Sequence, residues 1–130
     1  MPLIRTNTGG AQIIGSAKVA RYWRITVNAG AQSGPADTSL LVTNLPNHAW
    51  WVQQIAGPAG STWQPQWAVD NIPFGGGVAP RWVAVTPAQV LPVAQPVYLS
   101  ERLAANMIHM TITAPLAGAG TYAVILTSSM

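Results

Sequence analysis

Apolar and polar side chains change places every second residue in one short stretch of this chain after another. In KVARYWRITV (18–27), Val19, Arg21, Trp23, Ile25 and Val27 fall on one side, and Lys18, Ala20, Tyr22, Arg24 and Thr26 on the other. A period of two is the signature of a strand with one buried face. SLLVTNL (39–45) reads as a second strand, stopped by Pro46 and Asn47. HAWWVQQI (48–55) reads as a third, rich in aromatic and β-branched residues that suit a pleated surface. WQPQWAV (63–69) predicts an edge strand, because Pro65 has no N–H to give a ladder, and RWVAVT (81–86) predicts another strand. NMIHMTIT (106–113) sets Met107, His109, Thr111 and Thr113 against Ile108, Met110 and Ile112. TYAVILT (121–127) sets Tyr122, Val124 and Leu126 against Ala123 and Ile125. Joined by APLAGAG (114–120), these two predict a terminal hairpin with a long, outward-reaching turn.

The segments between them collect turn residues. NAGAQSGPADTS (28–39), GPAGS (57–61) and NIPFGGGVAP (71–80) read as loops. PAQVLPVAQPVYL (87–99) is too apolar for a solvent linker and too rich in proline for a helix or a central strand, which predicts an extended arm lying against protein. SERLAAN (100–106) alone has helical promise, of a turn or two. Residues 1–12 read as an extended N-terminal arm. About 7–9 short strands with turn signals between them predict one all-β domain over residues 1–130. The expected architecture is a β-sandwich, jelly-roll-like, or a barrel. Strands do not alternate with long amphipathic helices, so a βαβ fold is not expected.

Composition changes the picture most through charge. Six Lys and Arg and three Asp and Glu make 7% of the chain, against about 25% in ordinary soluble proteins, while 49% of residues are hydrophobic. A dispersed monomer is usually kept soluble by charge. So sparse a surface predicts one covered by other copies of the chain, with a trimer the first expectation. The sequence pI near 10 reflects few carboxylates rather than a clustered basic face, so nucleic acid is not an expected partner. No apolar run reaches the ~18 residues of a membrane helix, and MPLIRTNTGGAQ has no apolar signal region. Synthesis in a cytoplasm, with no membrane partner, is the expectation.

Candidate chemistry is thin. His48 and His109 are the only imidazoles, and Asp37, Asp70 and Glu101 the only carboxylates. Ser39, His48 and Asp37 could be drawn together as a triad, but no G-x-S-x-G elbow supports it. A metal would need both histidines and an acid to converge, with no HxH or HExxH spacing to bring them together. Gly75–Gly77 lead into VAPRWVAV rather than into a helix that could cradle phosphate. The reading is a protein that is not an enzyme and holds no cofactor and no metal.

The tryptophans are the remaining signal. Trp50 and Trp51 are adjacent, so a strand must send them to opposite faces, one into a core and one outward. Trp63 and Trp67, four apart, share a face. An outward indole marks a surface made to be covered. Trp50, Trp51, Trp63 and Trp67, with Leu91 and Val93 of the proline-rich arm, are therefore the candidate interface residues. Gln53, Gln54, Gln64, Gln66 and Asn71 could instead fix the hydroxyls of a sugar stacked on the indoles, so carbohydrate is the alternative partner. Depletion of charge favours protein.

Short, cysteine-free, all-β chains rich in Ala, Gly, Thr and Pro resemble the small virion proteins of tailed bacteriophages, such as capsid decoration (cement) proteins and minor head or tail components. The resemblance spans the whole chain and is one of composition. It implies a structural subunit of a virion that binds other virion proteins and stabilises the lattice through apolar interfaces. A carbohydrate-binding module or lectin-like β-sandwich is the second reading.

Overall fold

The structure, a computed structural model, describes residues 4–6, 12–13, 18–42, 45–68, 82–103, 105 and 107–130. Its elements in chain order are β1 (Ile4–Thr6), β2 (Gln12–Ile13), β3 (Lys18–Val27), α1 (Pro35–Thr38), β4 (Leu40–Leu41), β5 (Asn47–Ala56), β6 (Thr62–Ala68), β7 (Val83–Ala84), β8 (Gln89–Val90), β9 (Val97–Arg102), β10 (Met107–Thr113) and β11 (Gly120–Ser129). One sheet runs β1-β3-β11-β5-β9, with β2 beside β1's place along the same edge of β3. The other runs β4-β10-β6-β7, and β8 also pairs with β6. All named pairings are antiparallel, and the two sheets face each other as a β-sandwich, not a closed barrel.

The inward halves of the alternating strands make the core. Trp23, Ile25 and Val27 come from β3, Trp50 and Val52 from β5, and Tyr122, Val124 and Leu126 from β11. They meet Trp63 from β6 and Ile108, Met110 and Ile112 from β10. The period of two read from 18–27, 106–113 and 121–127 is the pattern observed.

Three sequence expectations change in three dimensions. β10 and β11 are not a hairpin, because they belong to different sheets. The link between them spans the ~10 Å separating packed sheets, so the inward residues of both strands meet across the core. Pro115 of the link accepts from Gly30 N at 3.1 Å, and Ala114 N donates to Ala31 at 3.0 Å. The described residues of 100–106 do not begin a helix. The alternation of Val97, Leu99 and Glu101 against Tyr98, Ser100 and Arg102 continues as β9, paired to β5, and sheet pairing overrides weak helix propensity. Finally, β6 is not an edge strand, since β10 lies on one side and β7 and β8 on the other. Pro65 is tolerated because its carbonyl accepts from Val85 N at 2.9 Å, on the β7/β8 side, where two very short strands leave a gap. The ring therefore costs β10 no hydrogen bond.

Smaller differences have local causes. Among the described residues of the strand expected over 39–45, Leu40–Leu41 are ladder-paired. The loop at 28–39 contains the short α1, whose Asp37 carboxylate accepts from Gly34 N at 2.9 Å. Hydroxyls around it act as a substitute strand along β10. Thr38 Oγ1 both donates to the Met110 carbonyl (2.8 Å) and accepts from Met110 N (3.0 Å). Ser33 Oγ does the same between Met110 O and Ile112 N. That edge is thereby closed to further pairing. The proline-rich segment runs from β8 to β9 and so bridges the two sheets, but it turns at Ala94 (φ +60), its end pairs with β5 as β9, and it buries only Leu91 fully. The 57–61 turn is held by Gly57, at φ +111, where a Cβ would lie 2.5 Å from the Ala119 carbonyl. The glycine loop at 71–80 lies outside the described residues.

The adjacent indoles give the sharpest check of this arrangement. Trp50 is fully buried and Trp51 lies on the outer face. Trp50→Ala should cost about 3–5 kcal/mol in denaturant unfolding, the scale of truncating a buried large aromatic. Trp51→Ala should cost much less, and equal large losses would mean that both faces of β5 are covered within the monomer.

Candidate functional site on the outer face of the six-stranded sheet

Register decides which residues share the outward face of the larger sheet. Tyr22, Ile125, Trp51 and Tyr98 lie directly opposite one another in sequence across β3, β11, β5 and β9, a single apolar row. Tyr98 is 66% exposed, while Trp51 is half-buried between its neighbours. On one side of this row stands Arg24, in line with Ala123 and Gln53. On the other side comes a row of small residues, Ala20, Thr127, Ala49 and Ser100, and beyond it Ser129, Asn47 and Arg102.

Small side chains between larger ones leave a hollow. A cavity of about 400 Å3 is lined by Asn47, Ala49, Ser100, Arg102, Thr127 and Ser129, at outward register positions, and also by His48 and Glu101, at inward ones. The Arg102 Nη1 donates to Asn47 Oδ1 at 3.1 Å, which orients the amide with its N–H groups unused by that bond. Its wall thus offers hydroxyls, an amide and one guanidinium.

The inward side of the same strand ends is polar but sealed. Ser128 Oγ donates to His48 Nδ1 at 2.9 Å, because His48 Nε2 gives its hydrogen to the Leu103 carbonyl at 3.4 Å. Burial pushes the imidazole below its ordinary pKa, and the Leu103 carbonyl partly opposes this. Ser128 is fully buried and His48 nearly so. Both ring nitrogens being occupied, His48 does not join Ser39 and Asp37 as the triad drawn from sequence. Glu101 turns inward beside His48. Desolvation raises its carboxyl pKa, opposed by the nearby Trp50 indole N–H, which lies outside hydrogen-bonding geometry.

The second histidine sits on the other sheet's outer face, so the two do not converge, and no metal-binding group of His, Cys, Asp and Glu forms among the described residues. His109 lies under Trp82, edge to face with ring centroids 4.3 Å apart. A directed chain fixes its tautomer. His109 Nε2 donates to Gln66 Oε1 (2.9 Å), Gln66 Nε2 to Gln64 Oε1 (3.1 Å) and Gln64 Nε2 to the Thr86 carbonyl (3.1 Å). Nδ1 is left buried without a partner. Desolvation lowers the imidazole pKa to about 4, with the Met110 backbone opposing.

The residues singled out from sequence therefore separate. Trp50, Trp63 and Leu91 are core, and Trp67 faces inward, half-buried against it. Trp63 and Trp67 do share a face, but it is the inner one, so they cannot form an outer platform with Trp51. Gln54 is buried too, and Gln64 and Gln66 are spent on His109. Trp51 alone of these indoles looks outward, and Val93 is exposed. Tyr98 and Arg102 were missed. Their signal was the alternation of VYLSER (97–102), masked by the prolines before it and the helix-forming residues after it.

No protein-family model and no curated protein matches the sequence. Among solved structures the fold is similar to the crystal structure of PirA, with TM-score 0.56 and 16% identity over 81% of this chain and 90% of that one. It is similar also to the Yersinia pseudotuberculosis-derived mitogen, with TM-score 0.51 and 10% identity over 85% of each chain. A Bacillus endospore appendage from a family of disulfide-linked pili gives TM-score 0.46 and 14% identity over 96% of this chain and 99% of that one. At these identities the likeness is one of fold.

The buried ionisable groups give two measurable consequences. His109 takes up a proton near pH 6.5 when unfolded but only near 4 when folded. Stability present above the unfolded value is therefore lost as pH falls between them, by about 3 kcal/mol for a shift of this size. His48 acts in the same direction. Thermal melts of His109→Gln should consequently decline less on acidification than those of the parent chain. Glu101 has the opposite sign, since a raised carboxyl pKa means that ionisation costs stability as pH rises. Glu101→Gln should melt higher than the parent at neutral pH, and an unchanged or lower melting temperature would show that the carboxylate has a compensating partner.

Proposed function

We propose that this chain is a non-catalytic structural subunit of a homo-oligomeric particle, of the virion kind, either decorating a capsid or serving as a minor head or tail component. The observation that carries this reading is the end of the sandwich where residues 28–32, 55–61, 87–96 and 114–119 come together. None of these four segments contains an ionisable side chain. They expose Ile55, Val93, Val90 (71%) and Leu116 (90%) instead.

A charge-free end with protruding aliphatic side chains suits association with identical copies, where no charge must be desolvated. Burying it would contribute roughly 25 cal/mol per Å2, before the entropic cost of association. The proline-rich segment supports the same reading, since its prolines limit the freedom lost when Val90 and Val93 are covered. Trimeric assembly is the form proposed, with other virion proteins as further partners.

Light scattering on the purified chain tests assembly directly, and a trimer is the expected mass. Val93→Asp and Leu116→Asp should shift the mass toward monomer while leaving the melting temperature of the fold nearly unchanged. Leu91→Asp, in contrast, should unfold the chain, because Leu91 is only 1% exposed. A parent chain that is monomeric at high micromolar concentration would remove this reading.

A further inference from the structure

The geometry points to a saccharide site on the outer face of the six-stranded sheet, with Trp51 and Tyr98 as the stacking platform and the adjoining cavity as the seat for hydroxyls. This site lies at the opposite end of β5 and β11 from the charge-free segments, and it does not depend on the proposed assembly.

The platform and the cavity are contiguous. Trp51 and Tyr98 pair directly across β5 and β9, and Ala49 and Ser100, two residues further along, already line the cavity. Same-face residues two apart are separated by ~7 Å. A ring over the aromatic pair and a linked ring in the cavity would thus be neighbours.

The chemistry of the two parts differs as the two sides of a pyranose do. Its axial C–H groups make an apolar face that packs on an indole or phenol, and its rim carries hydroxyls that both donate and accept. Ser100, Thr127 and Ser129 can do both in return, and the Asn47 amide is held with donors turned away from its bond to Arg102. Ligand sites of this kind combine an apolar surface with a few placed polar groups, and about 300–1,000 Å3 is their usual volume.

Charge narrows the class. Among the described residues no carboxylate stands at an outward position of this sheet: Glu101 borders the cavity but both its carboxylate oxygens are buried, and Asp37 belongs to α1. Arg102 places its positive charge at the cavity, and an Arg fork matches a carboxylate in geometry. The preferred ligand is therefore an oligosaccharide with an acidic ring. By register Lys18 shares this face with Arg24 and Arg102, and three cations spread over β3 and β9 do not make the continuous basic groove that would follow the phosphates of a nucleic-acid strand.

The test is a glycan array carrying neutral, uronate-bearing and sialylated oligosaccharides, probed with the full chain. The strongest ligand is then titrated against variants whose folding is checked by circular dichroism. Binding to an acidic glycan is expected. Trp51→Ala and Tyr98→Ala should each weaken it by about tenfold or more. Tyr98→Ala guards against a folding artefact, since that ring is mostly exposed. Arg102→Gln should weaken acidic glycans by a similar factor and leave neutral ones nearly unchanged. An array with no bound glycan, binding that survives both aromatic truncations, or tighter binding of a single-stranded oligonucleotide than of any glycan would each overturn the assignment. None of these results bears on the light-scattering mass, so this site and the assembly stand or fall separately.

Discussion

The structure depends on the ladders that β11 makes with β3 on one side and β5 on the other. They run nearly the full length of all three strands, with one irregularity beside Thr121. Because a strand alternates faces, fixing this register fixes every inward and outward residue of the larger sheet at once. Trp23 and Trp50, from β3 and β5, reach across β11 to stack with centroids 6.4 Å apart and planes 26° apart. The Arg21 guanidinium lies 5.3 Å from the Trp23 ring centroid, a cation–π contact that brings a charge to the rim of the core. A slip of one residue would exchange these indoles for Tyr22 and Trp51 and turn the inward and outward faces of the sheet inside out.

The same register builds the outer surface. Trp51 faces outward because Trp50 does not, and pairing with β9 places Tyr98 beside it. Core and candidate site are thus the two consequences of one alternation. The smaller sheet solves a different problem, the covering of its edges. Hydroxyls of Ser33 and Thr38 bond to the β10 backbone, and Trp82 covers His109, so that an imidazole on an outer face is nevertheless buried and neutral.

Charge is distributed by the fold more than by the chain. Arg24 and Arg102 face outward on the larger sheet, with Lys18 in register beside Ser129, while Glu101 is drawn inward, so among the described residues this face has no carboxylate at an outward position. The opposite end of the sandwich receives loops without any charge, although these loops are widely separated in sequence. Two surfaces of different chemistry result, one aliphatic and one aromatic and polar.

The sequence by itself determined the strand class, the all-β fold and the two-residue alternation of 18–27, 106–113 and 121–127. Alternation is a local property, and it survives any arrangement that buries one face. It also determined that Trp50 and Trp51 must part, but not which of them enters the core, because both choices satisfy the pattern. Tertiary structure decided that, through pairing with β11. It also sent β10 and β11 to different sheets, since a link of that length can close a hairpin or cross a sandwich equally well. Pro65 marked an edge correctly in its chemistry and wrongly in its place, because a missing N–H matters only on the side it would have faced. The Trp51–Tyr98 platform, its cavity and the charge-free end join residues far apart in the chain, and only packing brings such residues together.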